Sequence, residues 1–165
     1  MTGGSITASE IDASFSSSKN GMNTLENMKI SSGKDESLMD KGISADKSIV
    51  TLNNVTITQA ETSIFADNDS TITTFRGSFE GKTDGVYVQN GGTIILEDNT
   101  TFSSSDSNGL HAEDSESKIT MTGKTIIGKK AALLAEKGGQ IDVIDAAFIT
   151  YDMGTVGQKL MTQTA

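Results

Sequence analysis

The feature that most constrains this chain is a recurrence. Pairs of mostly apolar residues two apart return about every 22 residues: Ile6/Ala8, Met28/Ile30, Val50/Leu52, Ile72/Thr74 and Ile94/Leu96. After a three-residue insertion they return as Ile119/Met121 and Ile141/Val143. Alternation with a period of two marks a strand with one buried face. A long fixed period above it marks a stacked repeat, in which each unit buries its apolar face against the next. A chain written this way folds as a solenoid.

The clearest unit is DGVYVQNGGTIILEDNTTF, Asp84 to Phe102. Val86 and Val88 flank Tyr87 in a first strand, and Ile94 and Leu96 flank Ile95 in a second. Asp84-Gly85 and Gly91-Gly92 are turn dipeptides, since glycine supplies positive φ without strain. First-strand pairs precede the later anchors at Met22/Thr24, Ile43/Ala45, Ile64/Ala66, Val86/Val88, Leu110/Ala112 and Leu133/Ala135. A shorter third strand carries Ile57, Phe79, Phe102, Ile127 and Ile149. Three strands per coil predict an all-β, right-handed parallel β-helix of about seven coils, roughly 30–35 Å long at about 4.8 Å per coil. A left-handed hexapeptide helix would need a period of about 18.

Residues 1–165 form one solenoid domain in this reading. Residues 1–40 are the less regular coils, with Ser14–Lys19 and Ser31–Glu36 expected as loops. Residues 41–150 are regular, and 151–165 begin a frayed, incomplete coil. Both ends look cut, which suggests a piece of a longer array whose open strand edges allow end-to-end self-association.

Composition fits a thin core. The chain is 35% hydrophobic and 5% aromatic, below the roughly 45–50% apolar share of an average domain. The net charge of −9 excludes nucleic acid as a natural partner and disfavours anionic membranes. With no Cys there are no disulfides, zinc–thiolate centres or Cys nucleophiles. No run of about 18 apolar residues is present, so no helical membrane insertion is expected.

Catalytic motifs are lacking. The chain has one Arg (Arg76) and one His (His111), and its acids are densest at Asp84, Glu97-Asp98, Asp106, Glu113-Asp114 and Glu116. They read as solubilising charge at turns. No metallopeptidase, phosphate-loop, serine-elbow or calcium-repeat motif occurs. The chain therefore reads as a non-enzyme with no catalytic, cofactor or metal residues.

Outward side chains of a solenoid form columns, and partners bind columns. In the first strand the outward position runs Asn23, Ser44, Phe65, Tyr87, His111, Leu134. Phe65, Tyr87, His111 and Leu134 form an apolar-aromatic stripe and are the candidates for a partner contact. The competing reading is a ladder of rings that stabilise one another. The second strand's Thr-rich column is interrupted by Lys29, Ile95 and Asp142, which argues against an ice-binding face.

The wording GVYVQNGGTIILED, GLHAEDSESKITMTG and ALLAEKGGQIDVID resembles the β-helical passenger domains of classical (type V) autotransporters of Gram-negative bacteria. The shared pattern covers about residues 41–150 well and 3–40 more loosely. The phrasing is most similar to Bartonella passengers, which include an angiogenic factor acting on endothelial cells. The resemblance implies a secreted or surface-displayed virulence-type rod that binds a host cell-surface protein receptor. That receptor would be an endothelial growth factor receptor for a soluble ligand, or another surface protein for an adhesin. It carries no residue-level motif. A structural stalk and, less favoured, a polysaccharide-acting enzyme are the alternatives.

Overall fold

The computed structural model of the chain describes residues 1–8, 13–33, 38–123, 125–145 and 147–150. It is a right-handed parallel β-helix, the hand that twisted strands joined by same-sheet crossovers adopt. The strands are β1 (Thr2–Ala8), β2 (Ala13–Ser18), β3 (Met22–Ser32), β4 (Met39–Asp46), β5 (Ile49–Asp67), β6 (Thr71–Val88), β7 (Thr93–Ser104), β8 (Asn108–Glu113), β9 (Lys118–Thr122), β10 (Thr125–Gly128), β11 (Ala131–Glu136), β12 (Gln140–Ile144) and β13 (Ala147–Thr150). All pairings between them are parallel.

Three faces are stacked. On the first, Phe15, Ile43, Ile64, Val86, Leu110 and Leu133 share one column. On the second, Leu25, Leu52, Thr74, Leu96, Met121 and Val143 do so. On the third, Ile30, Ile57, Phe79, Phe102 and Ile126 align. Among the described residues the first two faces have six rungs and the third has seven, with Ile6 before Ile30 and Phe148 after Ile126, against the seven coils expected. The core is one thin continuous cluster, and its largest members are Phe79 and Phe102, whose rings stack 5.3 Å apart at 11°.

The predicted pairing holds for Val50, Ile72, Ile94, Ile119 and Ile141. It fails earlier. Met28/Ile30 are not a second-face anchor, because Ile30 pairs with Ile57 on the third face, and Asn23 pairs with Val50. Ile6 pairs with Ile30, so it too belongs to the third face. Met22/Thr24 are not a first-face pair: Met22 aligns with Ile49 and is 78% exposed. That rung's first face is instead Phe15 and Ser17, which pair with Ile43 and Ala45; Ser14–Lys19 is largely strand, not loop. Ser31 and Ser32 also close β3, whereas residues 34–36 lie outside the described residues, as do residues 151–165.

The cause is a longer coil. From Phe15 to Ile43 the chain uses 28 residues where Ile43 to Ile64 uses 21, so a fixed step slides off register. On the third face the inward residue is Ile126, paired with Phe102, while Ile127 pairs with Ser103 and is half-buried. Two consecutive Ile leave alternation unable to choose. Ile149 pairs with Ile127, one place off the Ile126 column.

Corners use positive φ mainly on polar residues. Asn27 (φ 53°), Asn54 (φ 52°) and Arg76 (φ 54°) bend the chain between second and third faces within continuous strands, although the β6–β7 register shifts at Arg76. Asn and Asp tolerate this region because their side chains bond locally, and Asn54 Nδ2 donates to Asn27 Oδ1 at 2.8 Å. This is why β5 and β6 each run across corners as one long strand. Gly91 (φ 78°) is a genuine turn glycine, but Gly85 has no positive φ and lies inside β6. A Cβ on Gly85 would sit 2.6 Å from the Gly109 carbonyl oxygen. Close packing selects glycine there.

The corrected register is measurable. Ile126→Ala should cost about 2–5 kcal/mol in urea unfolding, as for other buried Ile truncations, and Ile127→Ala well under half of that. Equal losses would restore Ile127 to the core.

Candidate functional site

The proposed stripe exists as a register column. Phe65 on β5 pairs with Tyr87 on β6, Tyr87 with His111 on β8, and His111 with Leu134 on β11. Parallel in-register pairing places equivalent side chains above one another, so rings that face outward must meet. Phe65 and Tyr87 lie 5.4 Å apart, tilted by 54°, and Tyr87 and His111 stack at 4.5 Å and 12°. Lys41 Nζ stands 5.1 Å from the Phe65 ring centre, a cation–π contact. Phe65 and His111 are each only 9% exposed, while Tyr87 and Leu134 are half-buried. The stripe is a stacked and largely covered ladder.

Polar side chains flank it on both sides. Before the rings come Lys41, Thr62, Asp84 and Asn108 in one aligned row. After them come Asp46 and Asp67, paired, and Glu113 and Glu136, paired. Asp84 is buried and accepts from Asn108 Nδ2 at 2.9 Å. His111 lies between carboxylates, with Nδ1 3.6 Å from Asp84 Oδ1 and Nε2 3.3 Å from Glu136 Oε1. The Tyr87 hydroxyl sits between Gln89 and Glu113. It has one proton to give, which goes to the charged carboxylate as the stronger acceptor. Lys137 closes the row on Glu113.

These neighbours set the charges. Burial pulls the His111 pKa down, but Asp84, and then Glu136, outweigh it and the value rises above normal. The Tyr87 phenol is held well above its usual value, first by burial and then by its bond to Glu113. Lys137 and the Tyr87 hydroxyl hold Glu113 below the usual carboxylate range. At neutral pH the site therefore carries a neutral phenol and an ionised Glu113 beside an imidazole inclined to hold a proton.

All four candidate residues are thus brought together. Asp84, Glu113 and Glu136 were missed as partners, since acids at strand ends look like solubilising charge. Their signal was positional: Glu113 and Glu136 fall two residues after His111 and Leu134, on the same outward face. No family model, curated protein or solved structure matches this chain.

His111 is the sole histidine, which makes its linkage separable. Its pKa is raised on folding, so its contribution is fully present below about pH 6.5 and is lost as pH rises through the folded value. In chelator-treated buffer, urea resistance should fall as pH rises above about 6.5, and His111→Gln should flatten that slope. A parent without the slope would show that the carboxylates do not bear on the ring.

Proposed function

We propose that this chain is a secreted or surface-displayed bacterial rod whose first face binds a host cell-surface protein receptor. The observation that carries it is the continuous column Phe65–Tyr87–His111–Leu134, bordered by the acidic pairs Asp46/Asp67 and Glu113/Glu136. Ring edges beside paired carboxylates suit a partner that offers an apolar contact rimmed by Lys or Arg. The net charge of −9 would speed encounter with such a surface. The resemblance to autotransporter passengers supplies the setting and the narrower reading of an endothelial growth factor receptor ligand, with an adhesin as its neighbour. A stalk role has one observation in its favour: Phe65 and His111 are nine-tenths buried, so their ring faces serve one another.

Burial also decides the test, because replacing Phe65 or His111 would disturb packing along with contact. Asp46→Lys combined with Glu136→Lys reverses exposed rim charge instead, with Thr51→Lys/Thr73→Lys on the second face as control. Binding to immobilised endothelial receptor ectodomains at about 0.15 M salt should weaken at least tenfold in the first variant only. Loss in the control alone would move the interface to the second face. Absence of binding to any host-cell surface by the parent would leave the stalk.

A further inference from the structure

We propose that His111, Glu113 and Glu136 bind one divalent transition-metal ion, zinc by donor chemistry, which staples two adjacent rungs of the helix together. His111 and Glu113 are two apart on β8 and so face the same way, and Glu136 on β11 is the register partner of Glu113. Their ligand atoms all lie within 4.8 Å of one another. His111 Nε2 and Glu136 Oε1 are 3.3 Å apart. That is long for a charge-assisted hydrogen bond, at about 2.7–2.9 Å. It matches the edge of a tetrahedron whose metal–ligand bonds are about 2.0–2.1 Å.

A second, independent observation points the same way. His111 is nine-tenths buried, yet its Nδ1 has no hydrogen-bond partner. The group it faces is Asp84, itself 5% exposed and anchored by Asn108. A carboxylate behind an imidazole is the arrangement that fixes the proton on one ring nitrogen and turns the other outward as a metal ligand. Here the outward nitrogen, Nε2, is aimed at Glu136, with Glu113 beside it in the same cluster. Stacking on Tyr87 holds the ring plane. Binding at Nε2 would leave the proton on Nδ1 and draw it to Asp84, completing the bond that the metal-free ring lacks.

The competing cation is already visible. Glu113 holds the ammonium of Lys137, whose side chain is 65% exposed and can swing into solvent. One imidazole and two carboxylates favour zinc, nickel or copper over calcium and magnesium, which demand six or more oxygens. With no Cys in the chain, no thiolate competes, and three protein ligands leave one position for water.

The test uses the whole chain, stripped with chelator and titrated with zinc at pH 7.5 by calorimetry and by NMR of the single histidine. One ion per chain should bind, with the His111 ring resonances shifting in step. Glu136→Gln and Glu113→Gln should each weaken binding at least tenfold, while Glu116→Gln, an equal loss of exposed charge, should not. Lys137→Gln should tighten it, because the resident cation is gone. Glu136 is 44% exposed, and unchanged circular dichroism would show that its variant folds. No binding, static histidine resonances, or equal affinity in Glu136→Gln and Glu116→Gln would reduce the ion to adventitious binding on an acidic surface and overturn the site.

Discussion

The parallel backbone ladder between successive coils is the interaction on which everything else here depends. Buried N–H and C=O groups must be paired, and in this fold the partner is the equivalent residue one coil away. That requirement aligns like positions into columns, so each strand needs only one or two inward side chains to complete a core. It also stacks whatever points outward. Phe79 on Phe102 inside, Tyr87 on His111 outside and Asn54 on Asn27 at a corner are one constraint expressed in three environments.

Where coils have equal length, that constraint is written plainly in the sequence. Val50, Ile72 and Ile94 align as their equal spacing predicts, because the corners between them are nearly uniform. The N-terminal rungs were not legible. A longer first coil places Met28 and Ile30 at the right numerical distance from Val50 but on the wrong face. Local patterning cannot count residues spent in a corner. Nor could it tell Ile126 from Ile127, where only the pairing with Phe102 decides. Gly85 shows a further limit: its role is set by the Gly109 carbonyl of the next rung, a neighbour 24 residues away in the chain.

The stripe was legible in position and illegible in environment. Alternation places Phe65, Tyr87, His111 and Leu134 outward, and the register brings them together. Exposure of an outward residue is set by the neighbours that lean over it, and those come from other coils. Lys41 covers Phe65, and Asp84 and Glu136 bracket His111. An apolar stripe in sequence thus becomes a polar-rimmed ladder in three dimensions, and its chemistry lies in the rim.

A purely structural ladder does not account for His111. Phenylalanine at that rung would continue the stack from Phe65 and Tyr87 with no buried polar atom to satisfy. Histidine instead sets Nδ1 3.6 Å from Asp84, too far for a hydrogen bond, and partly satisfied polar networks are worse than apolar packing. The chain also supplies a buried carboxylate on one side of the ring and two glutamates on the other. Ring stacking by itself requires none of these. A group that draws on Nε2 and both glutamates while turning the Nδ1 proton toward Asp84 uses every one of them, and a divalent cation has that chemistry.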